Sequence, residues 1–235
     1  MCGRYSLAGG DLTQLRSRFP IGESVELRRR FNVAPTDDVL TVTTKRDGTP
    51  RGELLRWGLV PAWSTQPGGA AKMINARAET LRERPAFRSA LERFRCLIIA
   101  DGFYEWSRDA TGAKRAFHIT RADREPFAFA GLWAVWHRGD ADEIRSCTIV
   151  TTAANPAIAP LHDRMPVILD RDTEDVWLEH GTPIAGLRDL LDGLPSEKIA
   201  LRPVGAAVNN VRYDGPECLE DPPSANLPPA ASTLF

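Results

Sequence analysis

Cys2, Asn75, Glu105 and His162 stand out in this 235-residue chain as groups that could do chemistry. Cys2 follows Met1, and an initiator methionine is usually removed when the next side chain is small. Removal leaves a cysteine whose α-amine (pKa ~7.7–8.0) and thiol (~8.5) belong to one residue, both partly deprotonated near neutrality. Such a 1,2-aminothiol condenses with an aldehyde to an imine, and its thiol then closes a five-membered thiazolidine. It could equally serve as a self-contained nucleophile and base. An accidental single cysteine is the plain alternative.

Three other stretches set polar groups in rigid or aromatic surroundings. In Asn75-Ala76-Arg77-Ala78-Glu79-Thr80 an amide and a guanidinium lie two residues apart. They suit a phosphate or sugar, and Asn75 would equally suit a helix N-cap. In Asp101-Gly102-Phe103-Tyr104-Glu105-Trp106 a carboxyl stands between two aromatic residues. Desolvation there would raise its pKa towards a range useful for proton transfer, unless it simply points to solvent at a strand end. His162, in Leu161-His162-Asp163-Arg164-Met165-Pro166, sits in a structured loop and can pass protons near neutral pH. His118 falls within an alternating strand, and His137 and His180 in charged surroundings, which favours structural roles for all three.

The elements that must position these groups read as a mixed α+β fold. Val39 to Thr44 and Glu53 to Leu59 form a hairpin about an Asp-Gly turn. Cys96 to Ala100, Arg115 to Thr120, Phe127 to Trp136 and Ser146 to Thr152 are further strands, and Ile199 to Val211 a late strand pair. Helices are expected after Asp11, over Ile74 to Arg84, Ala86 to Arg93, Thr173 to Leu178 and Pro183 to Leu191. The Arg28-Arg29-Arg30 run reads as a solvated face or a phosphate track. Together these predict one domain over residues 2–213: a twisted, partly closed, mostly antiparallel sheet with peripheral helices. A flexible Pro-rich tail is expected over residues 214–235.

Net charge is −1, from 30 Lys+Arg against 31 Asp+Glu, so any polyanion site must be a local patch. The four cysteines make no C-x-x-C and no zinc spacing, and Cys96 and Cys147 lie in apolar runs. A reducing, cytoplasmic setting is therefore expected, nucleoid-associated if the protein binds DNA. No apolar run approaches ~18 residues.

The ordered set Met-Cys-Gly-Arg-Tyr, Asn32-Val33-Ala34-Pro35, Trp57-Gly58-x-x-Pro61-x-Trp63, Asn75-Ala76-Arg77-x-Glu79-Thr80, Asp101-Gly102-Phe103-Tyr104-Glu105-Trp106 and His162-Asp163-Arg164-Met165-Pro166 resembles the SRAP family, SOS-response-associated peptidase-like proteins that sense abasic sites in single-stranded DNA. The Val208-Asn209-Asn210-Val211 segment looks like the family's late motif. The resemblance implies that mature Cys2 forms a thiazolidine with the ring-opened abasic deoxyribose. Asn75 would orient the Cys2 amine and the sugar, Glu105 would transfer protons, and His162 would help open the sugar ring. Arg4 and Arg77 would hold phosphates, Pro35 and Trp63 would form a wedge on which bases stack, and Thr151 would line the DNA path. Trp57 reads as core. Ser64 departs from a second aromatic that members often carry after the position of Trp63. No metal or organic cofactor is implied; the partner is single-stranded DNA carrying abasic sites, with no membrane, and the expected state is a monomer.

Three activities compete on these residues: covalent capture of abasic sites, a thiol peptidase acting on peptides or only on its own Met1, and a noncovalent single-strand binder in which Cys2 is incidental. The first has an internal condition: Met1 left in place turns the Cys2 amine into an amide and forbids the thiazolidine.

Overall fold

The computed structural model describes residues 2–9, 11–66, 73–108, 112–138 and 142–223. In chain order its strands are β1 (Tyr5–Leu7), β2 (Arg30–Val33), β3 (Asp38–Thr44), β4 (Pro50–Trp57), β5 (Asn75–Arg77), β6 (Arg95–Ala100), β7 (Gly102–Arg108), β8 (Lys114–Arg121), β9 (Phe127–Arg138), β10 (Asp142–Ala153), β11 (Arg164–Pro166), β12 (Ile168–Leu169) and β13 (Ile199–Val204). The helices are α1 (Thr13–Arg18), α2 (Pro85–Arg93) and α3 (Arg171–Leu178).

The strands make two sheets. One runs β13-β8-β7-β1-β2. In the other, β4, β3, β6, β9 and β10 pair in turn, and β10 returns to β4 through a short parallel contact, Ser146 to Arg56 and Cys147 to Trp57. The ring therefore closes into a five-stranded barrel, which removes its free edges. β-Strand side chains alternate between faces, and the two faces here are both apolar. One carries Val39, Leu55, Trp57, Ile98, Phe129, Cys147 and Ile149, which pack with Tyr5, Phe103 and Ile119 of the first sheet. The other carries Leu40, Val42, Leu97, Ile99, Ala130 and Val150, covered by Leu15, Phe87, Leu91 and Trp177 of the helices. Gly131 is demanded by crowding: a Cβ there would stand 2.8 Å from the Cys96 sulfur.

Several local expectations give way to this packing. The stretch expected as a helix over 74–84 instead forms β5 and a 3-10 turn (Ala78–Thr80); α2 begins at Pro85. Its helix-forming alanines and arginines are overruled because β5 completes an edge of β10, with Ala76 buried opposite Val150. Residues 183–191 make two 3-10 turns rather than a helix. The late strand pair is one strand, β13, followed by a 3-10 turn over Ala206–Asn209. Arg30 is no free phosphate ligand: it pairs with Asp37 and Asp214. Residues 214–223, assigned to the tail, are packed. Asp214 also accepts the Phe31 and Asn32 amides, and Cys218 is fully buried. Residues 224–235 and most of the 65–71 loop lie outside the described residues.

Candidate active site

Cys2 reaches its place because β1 is pinned on both sides. Tyr5 pairs with Phe103 of β7 and with Val33 of β2, and the Tyr104 amide donates to the Arg4 carbonyl. One further step in that antiparallel register sets Gly3 opposite Glu105. Beneath β1 a buried polar chain holds the strand. Ser6 Oγ donates to Asp101 Oδ1 at 2.5 Å and accepts from His118 Nε2 at 2.8 Å, while Asp101 Oδ2 accepts the amides of Ala8 (2.5 Å) and Gly9. Burial pushes the His118 pKa down to about 3, so its ring is neutral. Gly102 allows the approach, since a Cβ there would lie 2.2 Å from His118 Nε2.

Asn75 comes from the barrel. β5 lies along β10, with Asn75 opposite Ile149, and buried Trp57 donates its indole N–H to the Ile74 carbonyl at 2.9 Å. From there Asn75 Nδ2 donates to the Cys2 carbonyl at 2.8 Å. Asn75 is therefore not a helix cap. Its Oδ1 is buried without a hydrogen-bond partner among the described residues, an acceptor left over beside Cys2.

Glu105 lies in β7 and is buried, 4% exposed. Burial raises its carboxyl pKa above the ordinary range. The Cys2 thiol, fully buried, is pushed up by the same desolvation and then by the negative charge of Glu105. His162 precedes β11, on the other edge of β10 from Asn75, and its Nδ1 accepts the Arg164 amide at 2.9 Å. Nδ1 also lies 2.8 Å from Asp163 Oδ1. These two contacts disagree over a proton on Nδ1; the backbone amide can only donate, so Nδ1 is the acceptor and Nε2 carries the hydrogen. The two edges of β10, the end of β1 and β7 thus hold the Cys2 thiol, the Asn75 amide, the Glu105 carboxyl and the His162 imidazole of the candidate site.

The residues expected to meet a polyanion fare unevenly. Arg77 is exposed on β5, and Trp63 is 66% exposed. Pro35 is half-buried, in a loop tied to Trp57 by the Thr36 amide and the Asp37 carbonyl. Trp57 itself is fully buried, as expected of core. Arg4 commits its Nη1 to Asn32 Oδ1 (2.8 Å) and the Val208 carbonyl (3.1 Å), with Trp106 beneath its guanidinium. Thr151 sits between Arg77 and Pro166 in register, but its side chain is fully buried and faces no open path. Arg164 is the residue sequence reading passed over. It forks onto Glu79 (2.6 and 2.8 Å) and donates to the Thr151 carbonyl at 2.6 Å, joining β5, β10 and β11 at the site's edge. Its signal was its place two residues after His162. Asn32 was likewise missed as the partner of Arg4.

A family model described as SOS response associated peptidase (SRAP) matches residues 1–211. The chain belongs to the SRAP family. It is 37% identical over 224 residues to the abasic site processing protein YoqW of Bacillus subtilis, covering 94% of this chain and 99% of that one. It is 30% identical to the abasic site processing protein YedK of Escherichia coli, over 81% of this chain and 84% of that one. Among solved structures, a Bacteroides thetaiotaomicron protein superposes with a TM-score of 0.82 at 24% identity, covering 94% of this chain and 99% of its own, which shows the shared fold. A phage-related protein of Bordetella bronchiseptica gives a TM-score of 0.69 at 29% identity over 91% and 99% of the two chains. Among the described residues, no helix is long and apolar enough to cross a membrane and no group of His, Cys, Asp and Glu is arranged to hold a metal.

Proposed function

We propose that this SRAP-family chain processes abasic sites in single-stranded DNA by covalent capture through Cys2. The observation that carries the reading is the Asn75 hydrogen bond to the Cys2 carbonyl, made next to a carboxyl with a raised pKa. The mature Cys2 amine adds to the aldehyde of the ring-opened deoxyribose. Loss of the hydroxyl as water gives the imine, with Glu105 as proton donor. The thiol then adds across the C=N bond, its sulfur to carbon and its proton to nitrogen, so one water is lost overall. Asn75 Oδ1 is the acceptor that would hold the amine, and His162 Nε2–H faces the task of opening the sugar. Exposed Trp63, with Pro35, would stack bases at about 1–3 kcal/mol each, and Arg77 would meet a phosphate. Arg4 would help with its remaining donors.

The names of the abasic site processing relatives support the substrate class. A thiol peptidase limited to Met1 is compatible with the same groups, and it would supply the free amine that capture requires. Incubation of wild type and Cys2→Ser with a single-stranded oligonucleotide carrying one abasic site, followed by a denaturing gel, separates the readings. A heat-stable adduct with wild type alone is expected. Peptide turnover without any adduct would favour the peptidase.

A further inference from the structure

The mouth of the barrel away from Cys2 holds a cavity of about 780 Å³, within the range of small-ligand sites. Arg145 lines it, six residues along β10 from Thr151, so it lies about 20 Å from the site already described. Its lining is nearly all donor. Lys45 and Arg46, from the β3–β4 turn, and Arg93, from the end of α2, hold no ion pair among the described residues. Glu92 is the single acidic residue among the lining groups described. Arg51 and Arg145 are already matched, both by Glu53 at 3.1 and 2.9 Å.

A second observation is aromatic. Trp133, only 8% exposed, lines the cavity, and Phe94 meets it in a T-shaped contact at 5.1 Å while staying 39% exposed at the cavity rim. Surplus cations beside an accessible aromatic ring match a phosphate joined to a planar base.

We propose that this cavity binds a nucleotide unit, its phosphate among Lys45, Arg46 and Arg93 and its base on Phe94. A free nucleotide and an undamaged single strand present the same chemistry, and both are tested. Wild type is titrated with deoxyadenosine triphosphate, an undamaged six-nucleotide single strand and inorganic phosphate, followed by tryptophan fluorescence and calorimetry. Two variants run alongside: Lys45→Ala/Arg46→Ala/Arg93→Ala, which alters only exposed side chains, and Phe94→Ala. Saturation by the nucleotide or the strand with Kd below about 1 mM, weakened about tenfold or more in the triple variant, supports the assignment, and whichever ligand saturates identifies the source. Phe94→Ala should weaken these ligands while leaving phosphate unchanged. The assignment is overturned if phosphate binds as well as the nucleotide, if nothing saturates, or if the triple variant binds like wild type, which would place binding on the Cys2 face. None of these outcomes depends on abasic-site capture.

Discussion

Glu105 acts on the Cys2 thiol as well as on the reaction, and this gives its substitution opposite effects on chemistry and on the resting protein. Its negative charge adds to the burial that raises the Cys2 thiol pKa. Glu105→Gln should therefore ionise the thiol at lower pH, read as thiolate absorbance against Cys2→Ser, yet slow adduct formation about 10²-fold or more through the lost proton donor. The stability sign follows from the raised carboxyl pKa. Between the ordinary value, ~4.3, and the raised one, the folded chain binds more protons than the unfolded. Wild type thus loses stability as pH rises through that window, and Glu105→Gln should lose less in a thermal melt series. Trp63 and Arg77 are exposed, so replacing them should leave the Tm unchanged. Trp63→Ala is expected to weaken single-strand affinity about 10-fold or more, and Arg77→Ala to flatten the salt slope by about 0.7. Equal salt slopes would remove Arg77 from the phosphate path.

At the scale of elements, β1 is short but held by a buried side-chain network, and Gly102 is where that network is most exposed to a single change. Gly102→Ala should drive a Cβ into His118, cost about 1–3 kcal/mol of overpacking, and slow capture by displacing β1 and Cys2. A Gly102→Ala protein with unaltered Tm and capture rate would contradict this. The residues of the candidate site were named before the fold was known. Cys2, Asn75, Glu105 and His162 sit in ordered motifs, alternation marked β3 and β8, a turn marked β4 as the return of β3, and apolar runs marked β9 and β10. What was hidden was nonlocal. The 74–84 stretch read as a helix, which left a cap among the readings of Asn75, because only pairing with β10 makes 75–77 a strand. Thr151 carries no local sign that it is buried, and nothing near Ser6 announces partners some hundred residues away at Asp101 and His118. Parallel closure between β4 and β10 likewise joins segments that share no pattern.

For the whole molecule, the barrel fixes Asn75 and His162 on opposite edges of β10, while the smaller sheet delivers Cys2 and Glu105 from the other side. The site is complete only when the two sheets are packed together. Residues 214–219 tie into that assembly through Asp214 on β2 and buried Cys218. Truncation after Tyr213 should therefore cost on the order of 3 kcal/mol through lost hydrogen bonds and packing, a fall of about 6–12 °C in Tm; an unchanged melt would show the segment to be dispensable. The central claim, capture through a freed Cys2 aminothiol, is tested most directly by the intact mass of the full chain after reaction with an abasic single strand. The predicted species is the protein without Met1 plus the oligonucleotide minus one water, absent from Cys2→Ser and resistant to borohydride because no imine persists. A protein confirmed to begin at Cys2 that yields no such mass would contradict it.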